Sequence, residues 1–151
     1  MNHLAKSKFR LLKQAASLLV CISPALILAC TISCRSTVVV PIDTAPVGAP
    51  GFRALFVYES EQGLPEVFAS PDVRAYLNAK CVKGEDGTTP DWRCWDQHID
   101  PQHDFAVWQA FWKVPRQSLP WVITGNGTTG FSGPAPTTVD ELLTLLKKYG
   151  G

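Results

Sequence analysis

The chain has 151 residues, 46% of them apolar and 18% charged, which allows one domain of ordinary size with a sizeable core and excludes a wholly disordered chain. Its formal charge of +1 is local in origin: Lys6, Lys8, Arg10 and Lys13 all precede residue 15, no acidic residue does, and the remainder of the chain is net acidic. That remainder is therefore not a basic nucleic-acid-binding domain.

Residues 15–34 (AASLLVCISPALILACTISC) carry no charge and come directly after that cationic start, the layout of a secretory signal. A retained transmembrane helix needs about 20 apolar residues; the run is long enough, but Pro24 interrupts it and Ser17, Ser23, Thr31 and Ser33 dilute it. Ile27-Leu28-Ala29-Cys30 resembles a bacterial lipobox, with Leu28 as a departure where a small or β-branched residue is usual. The resemblance implies a signal peptide over 1–29, lipidation of Cys30 and an extracytoplasmic, membrane-anchored protein of the cell envelope. Thr31-Ile32-Ser33-Cys34 is a second, weaker match. Pro41, Pro46 and Pro50 make residues 30–51 read as an extended tether. The alternative there is a first strand at Thr37-Val38-Val39-Val40.

Residues 52–151 form the folded unit. Arg53 to Tyr58 (RALFVY) predicts a buried strand. Ser70 with Pro71 predicts a helix start, continued by Val73, Ala75, Tyr76, Leu77 and Ala79 at helical spacing. Lys80 to Lys83 predicts a short strand, Gly84 to Pro90 a turn-rich connection, and Trp92 to Ile99 another strand. Asp104 predicts the cap of a helix through Phe105, Trp108, Phe111 and Trp112, an aromatic stripe read as core. Trp92 and Trp95 have opposite parity, so a regular strand sends them to opposite faces. Trp121 to Thr124 predicts a strand, Gly125-Asn126-Gly127 a hairpin turn and a short strand after it, and Thr138 the cap of a last helix, Val139 to Lys148. Alternating strands and helices place the domain in the α/β class.

This element order, together with Ser118-Leu119-Pro120-Trp121-Val122-Ile123-Thr124, resembles the thioredoxin-like family, in which an apolar residue precedes a cis proline and a core strand comes next. Residues 67–77 resemble the first helix of its secreted variants. The resemblance covers residues 52–151 and implies a thioredoxin-like sandwich, a central mixed sheet flanked by helices, with Leu119–Pro120 cis. It also implies a peptide-binding groove at Leu119, Pro120 and Trp121, where an extended partner pairs with the backbone, with Trp121 presented near that face. The family's Cys-x-x-Cys motif is missing: its position after the first strand holds Gln62-Gly63-Leu64-Pro65. Thiol–disulfide exchange by the usual dithiol cannot occur there.

Of the five cysteines, Cys81 and Cys94 are expected to pair as a structural disulfide in an oxidising compartment, closing a loop worth about 3 kcal/mol. The sharper alternative makes them a relocated redox pair. His98, Asp100, His103 and Asp104 cluster in sequence, and are read as a polar strand-to-helix connection rather than a metal site. No Gly-x-Ser-x-Gly or phosphate-binding glycine loop occurs. The sequence thus points to a tethered extracytoplasmic domain that is redox-inactive, needs no cofactor or metal, and binds a protein or peptide partner. The alternative is a divergent thiol–disulfide oxidoreductase using Cys81 and Cys94.

Overall fold

The computed structural model describes residues 44–151. The signal segment, Cys30, Cys34 and the Thr37–Val40 alternative lie outside the described residues. Four strands, β1 (Arg53–Tyr58), β2 (Trp92–Asp96), β3 (Trp121–Gly125) and β4 (Gly130–Pro134), form one sheet in the order β2-β1-β3-β4. β1 runs parallel to β2 and antiparallel to β3, and β3 runs antiparallel to β4. The helices are α1 (Glu66–Ala69), α2 (Pro71–Lys80), α3 (Ala106–Lys113) and α4 (Val139–Gly150). The class is α/β with a mixed sheet, as the alternation of elements predicts.

Strand parity divides the core into two layers. Ala54 and Phe56 of β1, Val122 of β3, and Trp92 and Cys94 of β2 face Val67, Phe68, Val73, Leu77, Leu142, Leu146 and Tyr149 of α1, α2 and α4. Leu55, Val57, Ile123, Trp121 and Trp95 face Trp108 and Phe111 of α3. Trp92 and Trp95 are thus on opposite faces, and each is covered by a helical layer. β1 and β3 are buried on both sides, which is why they read as unbroken apolar runs rather than as alternating ones.

The helix and turn chemistry keeps closely to the sequence at the C-terminus. Thr138 Oγ1 accepts from the Glu141 N–H while the Glu141 carboxylate accepts from the Thr138 N–H, a reciprocal cap. Asn126 Oδ1 accepts from the N–H groups of Thr128 and Thr129, shaping the β3–β4 turn. Gly127 sits there at φ 91°, and a Cβ on it would lie 2.6 Å from the Ala49 carbonyl oxygen, so this position takes glycine only.

Several expectations are corrected. Lys80–Lys83 is not a strand: Lys80 ends α2, the Val82 N–H is taken by the Phe52 carbonyl, and pairing shrinks to a single Lys83–Pro90 bridge because proline has no N–H to extend it. β2 stops at Asp96, where that side chain turns back on the His98 N–H. Ser70 stands at the N-cap of α2, but its side chain makes no cap bond. Phe105, not Asp104, is the N-cap residue of α3, and its ring is 44% exposed, outside the aromatic core it was expected to join. The described part of the tether is laid against the domain: the Ala45 N–H donates to the Thr128 carbonyl, the Gly51 N–H to that of Asn126, and Val47 packs on the α3 side of the core.

A buried carboxylate ties α3 to the sheet. Asp91, 4% exposed, accepts from Arg53 Nε at 2.7 Å and from Trp108 Nε1 at 2.9 Å. Arg93 stacks over the Trp108 ring with its guanidinium 5.0 Å from the centroid. Removing the carboxylate orphans a guanidinium and an indole N–H together. Asp91→Ala should therefore destabilise the protein by about 3 kcal/mol, read as a lower urea midpoint. Asp91→Asn, which keeps an acceptor, should cost less. An unchanged midpoint in Asp91→Ala would contradict this role.

Candidate functional site

The strand register brings three chain segments to one end of the sheet. Tyr58, the last residue of β1, stands beside Asp96, the last of β2, and Val57 stands opposite Trp121, the first of β3. The loop after β1 and the loop before β3 therefore emerge together at the carboxyl ends of the parallel pair, where α/β sheets commonly place their sites. The segment Gln62-Gly63-Leu64-Pro65 and the Leu119–Pro120 step, far apart in sequence, meet there. A recess of about 390 Å³ is lined by Tyr58, Glu59, Gln62, Gly63, Leu64, Pro65, Glu66 and Pro120.

Two further recesses adjoin it. One, of about 370 Å³, is mainly apolar and is lined by Pro65, Glu66, Val67, Pro120, Ala135, Pro136, Thr137 and Val139. The other, of about 460 Å³, is polar and is lined by Glu59, Gln62, Gln97, Arg116, Gln117, Ser118 and Leu119. Shared walls at Pro65, Glu66 and Pro120 on one side, and at Glu59 and Gln62 on the other, join the three into one cleft with the Leu119–Pro120 step along it.

That step has a specific hydrogen-bonding character. The Leu119–Pro120 bond is cis, as the resemblance implied. The Pro120 carbonyl accepts from the Ala135 N–H at 2.9 Å, extending the β3–β4 ladder by one pair. One residue earlier the pairing stops: neither the N–H nor the C=O of Leu119 has a hydrogen-bond partner among the described residues. Leu119 is half-buried, with its side chain packed on the α3 layer. Its main chain is a short length of unpaired edge.

Trp121 corrects the expectation of a surface aromatic. It is 4% exposed, with Nε1 donating to Ser132 Oγ at 2.9 Å. The strand it begins is buried on both faces, so a tryptophan there has no path to solvent. The expected site thus keeps Leu119 and Pro120, places Trp121 in the core beneath them, and gains Glu59, Glu66, Arg116, Ala135, Pro136 and Val139.

The loop carrying Gln62 is fixed from β2. Asp96 Oδ1 accepts from the His98 N–H at 2.8 Å and faces His98 Nδ1 at 2.9 Å, while Oδ2 accepts from the Ser60 N–H at 2.6 Å. These bonds, those from His98 first, hold the Asp96 carboxyl well below the usual carboxylate range. Its stabilising effect is therefore present above that range and is lost only as pH falls through the depressed folded-state value. Arg116 donates from Nη1 to the Trp112 and Val114 carbonyls and lies 4.4 Å over the Trp112 ring, closing the end of α3. Burial lowers its basicity.

Cys81 and Cys94 are not among the residues lining the cleft. Cys81 is the C-cap of α2 and Cys94 the middle of β2, and both are free thiols. The disulfide expected between them is not formed in this structure. The Lys83–Pro90 bridge and the bond from the Asp91 N–H to the Val82 carbonyl set a register that puts Cys81 near the level of Trp92. Cys94 is two residues further along, about 7 Å of strand rise. Desolvation comes first among the causes that push the Cys81 thiol up to about 12 and the Cys94 thiol up to about 11. Such thiols are almost wholly protonated at neutral pH and make poor nucleophiles.

Asp100, His103 and Asp104 line one recess with Arg93 and Phe105, and His98 stands apart from it. His98 is held by Asp96, Asp100 accepts from the Gln102 N–H, and Asp104 from the Phe105 N–H. Among the described residues no group of three or more His, Cys, Asp or Glu side chains is arranged to hold a metal ion, and no helix is long and apolar enough to cross a membrane.

The burial of the two thiols has a direct readout. Iodoacetamide applied to the native protein at pH 8 should leave Cys81 and Cys94 unmodified over minutes, whereas both should be labelled in strong guanidinium chloride. Peptide mass mapping scores each cysteine separately. Rapid native labelling of either would contradict their placement.

Compared with protein-family models, with curated proteins and with solved structures, the chain matches none.

Proposed function

We propose that this protein is a membrane-tethered, extracytoplasmic thioredoxin-like domain that has no thiol chemistry in its cleft and binds an extended polypeptide there. The sheet order β2-β1-β3-β4, with β1 and β2 parallel and β3 and β4 antiparallel, supports the thioredoxin-like reading. So does the meeting of the Gln62–Pro65 loop with a cis Leu119–Pro120 step. The tethering and the compartment rest on the cationic start, the apolar run and the lipobox-like Ile27–Cys30. The redox alternative draws no support from Cys81, which is buried, or from Cys94, which is half-buried against the core; both have raised pKa values.

The observation that carries the binding reading is the main chain of Leu119, which lines the cleft and has no hydrogen-bond partner among the described residues. A donor and an acceptor on one residue, beside a break in the ladder, suit an incoming strand, which pairs through its backbone and is selected by the recesses on either side.

The test monitors the Leu119 amide. Peptides selected from a displayed random library against the full chain should slow its hydrogen exchange at least about tenfold on saturation. Amides of the β3–β4 turn should be unaffected. Selected peptides that bind while leaving Leu119 exchange unchanged would refute this use of the cleft.

A further inference from the structure

The cleft is negatively charged at its centre. Residues 59–66 read Glu-Ser-Glu-Gln-Gly-Leu-Pro-Glu, three carboxylates without a base. Glu59 and Glu66 both line the central recess with Pro120, and Glu66 also borders the apolar one. Neither forms an ion pair among the described residues, whose three ion pairs are Arg53–Asp91, Arg93–Asp91 and His98–Asp96. Among the described residues the Glu59 carboxylate accepts only from Gln62 Nε2, at 2.7 Å. Among the described residues the single cation lining the cleft, Arg116, sits at its polar end with Nη1 committed to the Trp112 and Val114 carbonyls and its plane over the Trp112 ring.

Resting on the proposed role of Leu119, we infer that the segment taken by the cleft is cationic: an extended stretch of a partner polypeptide with an apolar side chain flanked by lysine or arginine. Three features of one surface call for this occupant. The Leu119 N–H and C=O pair with its backbone. The recess bounded by Val67, Pro120, Ala135, Pro136 and Val139 receives its apolar side chain. Glu59 and Glu66 complement its charges. An acidic strand would meet two uncompensated carboxylates, and a neutral one would leave them without a partner. Exposed carboxylates of this kind add little affinity each, so their effect is on selectivity and association rate, and it weakens with salt.

The test uses the full chain in a non-ionic detergent and three fluorescein-labelled, terminally blocked heptapeptides. All share a central leucine between threonines and differ in carrying lysine, glutamine or glutamate at the flanking positions. Anisotropy titrations should show the lysine peptide binding about tenfold more tightly than the glutamate peptide at low salt, with the difference collapsing at high salt. The paired substitution Glu59→Gln with Glu66→Gln should remove that difference. Replacing the central leucine of the lysine peptide by serine should weaken it severalfold. Equal binding of all three peptides, sensitive to the leucine, would overturn the charge inference while leaving the cleft reading intact. Preference for the lysine peptide that survives the paired substitution would also overturn it, by moving the contact elsewhere. If none of the three binds, the charge inference falls; the exchange experiment on Leu119 then decides the cleft reading separately.

Discussion

Every part of the cleft is placed by one constraint, the double pairing of β1. Its main chain is committed on both edges, parallel to β2 and antiparallel to β3, and its side chains are committed on both faces, Ala54 and Phe56 to one helical layer and Leu55 and Val57 to the other. A six-residue strand used this fully cannot slip: a shift of one residue would exchange the two layers. Because β1 is fixed, the ends of its neighbours are fixed with it. Tyr58, Asp96 and Trp121 arrive at one end of the sheet, and the loops that continue from them meet.

What those loops bring together is chemically quiet and geometrically specific. The positions that could have carried a reactive dithiol hold Gln62, Gly63, Leu64 and Pro65, none of which can attack a disulfide. Of the described thiols, Cys81 is buried and Cys94 is half-buried against the core. The cleft offers instead a pair of unused main-chain groups, an apolar recess and uncompensated carboxylates. These are the features on which the proposed binding role rests. Asp96 ties the start of the Ser60–Gln62 turn to the end of β2 and so fixes one wall of the cleft.

Much of the fold is legible in the sequence because its signals are local. The apolar run RALFVY, the Ser70-Pro71 start, Thr138 with Glu141, and Asn126-Gly127 each act over a few residues, and each marks an element or turn that forms. The misreadings fall where a distant partner decides. Lys80 to Lys83 has strand-like residues, but Phe52 and Pro90 determine what its backbone can pair with. Cys81 and Cys94 have the spacing for a disulfide and are free thiols in the structure. Trp121 looks presentable beside a proline until β4 supplies Ser132 to bind its indole N–H. Of the cleft, Leu119, Pro120 and the Gln62–Pro65 loop are readable through the family resemblance. Ala135, Pro136 and Val139 are not, since they reach the site only through β4. The Glu59–Glu66 run is visible in sequence, but its meaning depends on which wall it lines.

The most direct test of a working cleft locates a ligand on the molecule. A nitroxide attached to a peptide selected on the full chain should broaden, by paramagnetic relaxation, the amide signals of Gly63, Leu64 and Leu119, which surround the cleft. It should leave Ala45 and Thr128, at the opposite end of β3, sharp. Broadening centred on Thr128, or on the exposed ring of Phe105, would contradict the claim that this protein works through the cleft at Leu119.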